Sequence, residues 1–303
     1  MTVATDTAVE VTKSGPSHSV SPPVDTPVVV DALVKRYGDK LVLDGITLHI
    51  ERAETVVVIG GSGAGKSTLV RHLIGLERPT AGRILVEGID IASLSDYEMS
   101  KLRRKFGMVF QRYALFDSMS VFDNVAFPLR EQTKLGERAI RERVMTKLKE
   151  LRVEHAAARM PSEISGGMSK RVGIARALVM EPEILIYDEP TSGLDPVTSR
   201  TVDELIEEMR ETFGITSIVI THDMTSAFDI ADRVAMLVRG RIAVEGPPEA
   251  VLLSEHEDVR QFVIASAVDP TRLEKRSKRK SPGELRAAFA ESRKGKEKST
   301  VES

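Results

Sequence analysis

Along this 303-residue chain the hydrophobic positions change period several times. Residues 1–27 are rich in Ser, Thr, Pro and Val and show no helical repeat, so they predict a disordered extension. From Val28 the pattern tightens. Val28-Val29-Val30, Leu41-Val42-Leu43 and the alternating Ile46-Thr47-Leu48-His49-Ile50 predict strands of an antiparallel layer. The apolar run Val56 to Ile59 predicts a buried strand, and Ser67 to Leu76 a following helix. Ile140, Val144, Leu148 and Leu151 recur at helical spacing among charged residues, which predicts a helical region ahead of Ile164. From Ile184 onward, strands at Ile184–Tyr187, Thr216–Thr221 and Val234–Val238 alternate with a helix at Val202–Met209. That alternation predicts a parallel sheet covered by helices, an α/β fold.

Composition narrows the class. With 41% hydrophobic and 29% charged residues the chain can bury one sizeable core. No apolar run approaches the ~18 residues that cross a bilayer, so any membrane role has to come through a partner chain. No basic-then-apolar leader opens the sequence, and the absence of cysteine fits a cytosolic protein. Net charge is −2, yet residues 271–303 hold 11 Lys/Arg against 5 Asp/Glu. A solvated basic tail over residues 267–303 is the plain expectation; docking on a neighbouring subunit or an anionic membrane surface is the alternative.

The candidate chemistry lies where strands end. Gly60-Gly61-Ser62-Gly63-Ala64-Gly65-Lys66-Ser67-Thr68 follows a strand and opens a helix. Glycines let backbone N–H groups turn inward around a β-phosphate, Lys66 supplies a cation to β/γ-phosphate oxygens, and Ser67 can ligate Mg²⁺. Asp188 ends the apolar strand Ile184 to Tyr187, where a carboxylate can hold Mg²⁺ through water. Glu189, next in the chain, can polarise an attacking water.

This phosphate loop, followed by Ile164-Ser165-Gly166-Gly167-Met168 and then by Ile184 to Pro190, resembles the ATP-binding cassette (ABC) ATPases. Ser-Gly-Gly alone is a common turn; its order between the two phosphate motifs carries the resemblance. The resemblance implies a P-loop NTPase of the ABC type, with a RecA-like parallel-sheet core, an antiparallel β layer and a helical signature subdomain at about residues 112–180. It covers about residues 28–266. It implies ATP and Mg²⁺ as ligands, with Ser165, Gly166 and Gly167 contacting the γ-phosphate held by an opposite subunit. Met168 replaces the family's commonest Gln and leaves those contacts intact. Gln111 matches the glutamine that touches Mg²⁺ and the lytic water, His222 the switch histidine, Ser192 to Pro196 the D-loop, and Tyr37 the aromatic that stacks on adenine. The signature would serve the other subunit's nucleotide, so the resemblance implies a pair of cassettes, as a homodimer.

Within the family, Ala114 to Arg130 and the Gly-Gly-Met signature followed by Ser169-Lys170-Arg171 look like the Mla/MCE-type phospholipid-transport ATPases. That resemblance implies an integral membrane permease, an MCE-domain lipid-binding protein, a STAS-domain partner, and a place on the cytoplasmic face of the membrane. The alternative is a polar-solute importer, for amino acids or methionine. A non-transport ABC protein acting on nucleic acid is disfavoured, because such proteins typically pair two cassettes in one chain or carry a long coiled coil.

Overall fold

A computed structural model describes residues 26–110, 114–268 and 279–301, with side chains described as far as residue 291. The extension expected at residues 1–27 lies outside the described residues up to position 25.

Two sheets organise the chain. The first is antiparallel, in the order β2 (Lys40–Ile50), β1 (Val28–Tyr37), β4 (Ala81–Val86), β5 (Ile89–Asp90). The second runs β10 (Arg241–Gly246), β9 (Arg233–Val238), β3 (Thr55–Ile59), β8 (Thr216–Thr221), β7 (Ile184–Asp188), β6 (Phe106–Val109). All its pairings are parallel except that of β10 with β9.

The period of two along the parallel strands explains the layering. In β3, Val56 and Val58 enter one core while Val57 and Ile59 enter the other. β7 repeats this, with Ile184 and Ile186 on one side and Leu185 and Tyr187 on the other. A sheet buried on both faces needs apolar residues at every position, which is why these strands read as unbroken runs. One face carries the antiparallel sheet and α1 (Lys66–Leu73), through Leu33, Leu43, Leu69 and Leu73. The other carries α3 (Val121–Gln132), α4 (Glu137–Glu150), α5 (Gly166–Leu178), α6 (Pro196–Phe213) and α7 (Met224–Ile230). The helix expected around Ile140 is α4, with Ile140, Val144 and Leu148 as its buried stripe. A shorter helix, α2 (Asp96–Arg103), follows β5 and is closed by a Ser95–Glu98 capping box.

The basic C-terminal stretch departs from the solvated tail expected of it. After α8 (Pro248–Leu252) and α9 (Glu257–Ser266), residues 269–278 lie outside the described residues, and the chain resumes at Arg279 against its own cassette. The helix Pro282–Val301 starts on a capping geometry in which Ser281 Oγ accepts from Glu284 N and the Glu284 carboxylate accepts from Ser281 N. Leu285 is buried, Arg286 pairs with Glu51 at 2.8 Å, and Phe289 covers Gly214, the left-handed residue that ends α6. Arg279 pairs with Glu207 and donates to Ala231 O at 3.1 Å. The wholly buried Arg210 donates to Lys280 O, Ala53 O and Asp232, and Asp232 in turn accepts from Thr55 N at the start of β3. Acidic and apolar partners at the base of the cassette thus outweigh the positive charge of this segment.

Candidate active site

Parallel pairing puts the carboxyl ends of β3, β7 and β8 on one edge, with Ile59 opposite Thr221 and Asp188 opposite Ile220. Each strand there releases a functional loop, as expected of open α/β sheets. The loop after β3 turns at Gly60, with φ 157°, where a Cβ would stand 2.4 Å from Leu237 O. Gly65 caps α1 at φ 109°, where a Cβ would meet Leu43 at 2.7 Å. A side chain at either place would collide with the packed layer behind the loop, so both positions require glycine. Lys66 folds back inside this loop, its Nζ donating to Gly60 O at 2.8 Å and Gly61 O at 3.2 Å.

The adjoining cleft is about 610 Å³ and is lined by Gly63, Ala64, Gly65, Lys66, Ser67 and Thr68 together with Tyr37, Lys40, Arg71 and Arg239. Its cations and the positive end of α1 make it a receptor for a polyphosphate. Tyr37 stands at the mouth, 44% exposed, its hydroxyl donating to Glu77 and one ring face under Lys35 Nζ at 5.0 Å.

Asp188 is half-buried at the end of β7; burial first, and then the charge of Glu189, raise its pKa, while Lys66 and Arg71 oppose the rise. Glu189 adopts φ 51°, in the left-handed region that a side chain of its size rarely enters. Its N–H donates to Ile220 O at 2.8 Å, which holds that conformation. The carboxylate lies between two nitrogen-bearing side chains, with Oε1 3.8 Å from Lys66 Nζ and Oε2 2.7 Å from His222 Nδ1. A carboxylate hydrogen-bonded to a histidine through one oxygen, with the nearest ammonium 3.8 Å from the other, can accept a proton from water.

The other expected residues lie elsewhere. Ser165 caps α5 and accepts from Met168 N at 3.3 Å, leaving Gly166 and Gly167 exposed at the helix start. No described residue of the helical region contributes to the lining of the Lys66 cleft, so the fold leaves these two halves apart. Gln111 lies outside the described residues. Met168 packs against the core, consistent with the exchange of Gln for Met at a position facing inward.

Sequence reasoning missed a buried polar network behind these loops. Ser226 Oγ donates to Asp203 Oδ2 at 2.9 Å and lies 3.3 Å from Thr191 and 3.2 Å from Asp223. The available signal was Asp203 itself, a charge in the apolar stripe of Val202, Leu205, Ile206 and Met209. Asn124 was missed as well. Wholly buried, it accepts from Phe116 N and donates to the carbonyls of Phe116, Met119 and Ser120, which pins the loop ahead of α3.

Residues 43–192 match the ABC transporter family model. The chain is 42% identical to the probable ribonucleotide transport ATP-binding protein mkl of Mycobacterium leprae, over 82% of this chain and 72% of that protein. This chain belongs to the ABC transporter family. Hydrolysis of ATP is therefore its activity, coupled to transport, and no helix of the described residues is long and apolar enough to cross a membrane. Among other ABC relatives, the phospholipid transport ATP-binding protein MlaF of Haemophilus influenzae is 38% identical, over 81% of this chain and 93% of that protein. The methionine import protein MetN of Carboxydothermus hydrogenoformans is 44% identical, over 73% and 66%. In fold it is similar to cbiO1 of Clostridium perfringens, at TM-score 0.71 and 38% identity, over 79% of this chain and 95% of that one. It is also similar to the dimeric bacterial cassette MJ0796, at TM-score 0.65 and 32% identity, over 73% and 98%.

Proposed function

We propose that this chain powers phospholipid transport, hydrolysing ATP as one of two cassettes facing head to tail beneath a lipid permease. The observation that carries the lipid reading is the likeness to MlaF, which runs over 93% of that relative. In this reading the loop Gly60 to Thr68 and Lys66 hold the phosphates, and Tyr37 stacks on adenine with the ring face that Lys35 leaves free. Ser165, Gly166 and Gly167 of the partner cassette close over the γ-phosphate.

The glycine cradle and the oxygen donors beside it fit a hydrated Mg²⁺, which Ser67, Asp188 and Gln111 would hold. When bound, that ion neutralises phosphate charge. Glu189 takes a proton from the attacking water as its oxygen bonds to the γ-phosphorus and the bond to ADP breaks. His222 orients that carboxylate through the 2.7 Å contact. Lys66 is already buried and bonded to loop carbonyls, so phosphate oxygens replace existing acceptors without the ammonium first having to leave water.

A Phe-rich groove supports permease docking. Phe110, Phe116, Phe127, Pro128 and Met180 line a hollow of about 370 Å³ with Arg103, Arg104 and Arg176 among its other walls. Phe110 and Phe116 remain more than two-fifths exposed, an expenditure of apolar surface that a permease helix would offset. MCE-domain and STAS-domain proteins complete the assembly in this reading, with the chain on the cytoplasmic face. The second reading is import of a polar solute such as methionine, favoured by the 44% identity with MetN.

Mass spectrometry of proteins that co-purify from detergent-solubilised membranes tests these readings. An MCE-domain protein with a lipid-type permease supports the first. A permease with a soluble solute-binding protein replaces it with the second.

A further inference from the structure

The two ends of the nucleotide cleft belong to different parts of the fold, and one carboxylate joins them. Tyr37 ends β1 of the antiparallel sheet, whereas Lys66, Ser67, Thr68 and Arg71 lie on α1, and all of them line the same cleft. Glu77 follows α1 in a turn where Leu76 N and Glu77 N both donate to Arg71 O, at 2.8 and 3.3 Å. From that turn its side chain reaches back to the sheet. Oε2 accepts from the Tyr37 hydroxyl and stands 3.4 Å from Lys35 Nζ, while Oε1 accepts from Arg71 Nη1 at 3.4 Å. Lys35 is itself fixed, donating to Arg78 O at 2.8 Å as it covers one face of the Tyr37 ring.

Charge alone argues against a carboxylate in this place. It lies beside a cleft that gathers Lys40, Lys66, Arg71 and Arg239 for an anionic ligand, and its own charge opposes that ligand. Its bonds act in the other sense. Tyr37 is 44% exposed at a strand end, where an untethered ring turns freely about its side-chain torsions. With the hydroxyl bonded to Glu77 and Lys35 over one face, the ring is already ordered before any ligand arrives. A side chain that has to be ordered on binding weakens the complex, and one ordered beforehand does not. The Tyr37 hydroxyl, ahead of Lys35 and Arg71, holds the Glu77 carboxyl below its usual range, so the acceptor is ionised.

We propose that Glu77 is a positioning residue for the nucleotide, a bracket between α1 and β1 that sets the Tyr37 ring for the base and holds Arg71 at the rim of the phosphate loop. The proposal rests on the stacking of Tyr37 on adenine in the reading above. Lys66 and the glycine loop meet the phosphates without help from Glu77, which acts at the base end of the cleft. That end is remote from the bond that breaks, so Glu77 favours bound substrate and transition state alike and its effect appears in KM, not in kcat. Because its charge and its bonds act in opposite senses, removing it separates ligands with and without a base. A bare polyphosphate loses a repulsive neighbour, whereas ATP loses the ring set in advance.

The test uses the full chain, unchanged or carrying Glu77→Ala, Tyr37→Phe, both together, or Tyr37→Ala. Each protein is titrated with ATP and with inorganic tripolyphosphate, both with Mg²⁺, and its turnover of ATP is measured. Glu77→Ala is expected to weaken ATP binding and raise KM about fivefold, the effect of having to order one freed side chain on binding. Its kcat should stay within about twofold, and it should bind tripolyphosphate as tightly as the unchanged chain or more tightly. Tyr37→Phe, which lacks the hydroxyl that Glu77 holds, should weaken ATP by a similar factor, and the double variant should lie within about twofold of the weaker single. ATP affinity in Glu77→Ala within about twofold of the unchanged chain overturns the proposal, and so do fully additive losses in the double variant. Equal weakening of ATP and tripolyphosphate also overturns it, since that is what a merely structural disturbance of α1 gives. If Tyr37→Ala leaves ATP no weaker relative to tripolyphosphate, the stacking reading fails first and takes this inference with it.

Discussion

Replacing Leu285 with alanine removes the side chain that seats the C-terminal helix, 1% exposed in the folded protein. Three carbons are lost, and at ~0.8 kcal/mol per buried methylene the transfer term alone is about 2.4 kcal/mol. The cavity left beneath a peripheral helix can partly close, so the total should stay near the low end of the ~2–5 kcal/mol typical of Leu→Ala. The remaining anchors set a ceiling. Arg286 and Glu51 are both partly exposed and add at most ~1 kcal/mol, while Phe289 on Gly214, the Arg210 bond to Lys280 O and the contacts of Arg279 with Glu207 and Ala231 O contribute further. Should their sum be smaller than the Leu285 term, the helix detaches, and the loss equals its whole docking free energy. The comparison variant is therefore truncation after residue 278. With ~2–4 °C per kcal/mol for a cassette-sized domain, Leu285→Ala should lower the melting temperature by about 4–8 °C, and truncation by at least as much. Thermal unfolding of the three proteins decides the matter. If both variants melt within about 1 °C of wild type, the segment does not stabilise the cassette and the packing argument is wrong.

Other expectations follow from the same structure. Glu189→Gln should slow ATP hydrolysis by about 10²–10⁴ while equilibrium binding of ATP holds within a few-fold; a normal turnover rate would dismiss Glu189 as the base. Asn124→Leu strands four backbone groups of the loop between Phe116 and Ser120, so urea unfolding should show a loss of about 3 kcal/mol, and recovery of the permease in pull-downs should fall before ATP binding does. An unchanged urea midpoint would refute that. Arg130 bridges Asp123 at 2.8 Å and Glu137 at 2.9 Å, tying α3 to α4. It holds Glu137 below the usual carboxylate range, and the Ser120 hydroxyl and then Arg130 do the same for Asp123. Folded values depressed below the unfolded ones make this stabilisation present above about pH 4 and lost as pH falls through them. The melting difference between wild type and Arg130→Met should therefore shrink on acidification, and a difference constant with pH would exclude the ion pairs as its source.

Legibility in the sequence followed the kind of interaction that shapes each element. β3, β7 and β8 are buried on both faces, so their apolar runs announced them, and the phosphate loop was readable because its geometry demands glycine at Gly60 and Gly65. α4 was legible from one stripe of Ile140, Val144 and Leu148. By contrast β4, Ala-Gly-Arg-Ile-Leu-Val, shows little alternation; it is a strand because Val28, Val29 and Val30 offer it the register Val86, Leu85 and Ile84. α3 holds Pro128, which argues against a helix locally, yet the Ser120 cap and the burial of Val121, Val125 and Leu129 prevail. The C-terminal segment was misread through its charge. Its Ser281-Pro282-Gly283-Glu284 carries a cap, a first-turn proline and a capping glutamate, a helix start that outweighs the basic composition around it.

The same topology that gathers one half of the chemistry excludes the other. Parallel strands place the phosphate loop, Asp188, Glu189 and His222 on one edge because each loop leaves the carboxyl end of a neighbouring strand. Ser165 starts a helix in the region inserted between β6 and β7, so nothing in the strand register draws it toward Lys66. In the reading proposed above, the edge that holds the phosphate loop is one half of the site and Ser165, Gly166 and Gly167 are the other. In the proposed head-to-tail pair those donors come from a second copy or a related cassette, carried on a helical region packed against one face of the doubly buried sheet. Movement of one body against another is also what a permease bound in the groove around Phe116 and Phe127 would sense. Coupling of hydrolysis to transport then needs no long wire through the core. It needs only that the segment bearing the groove and the helix bearing Ser165 turn as one unit, and Arg176 of α5, which donates to Ala114 O at 2.7 Å in the groove wall, joins them directly.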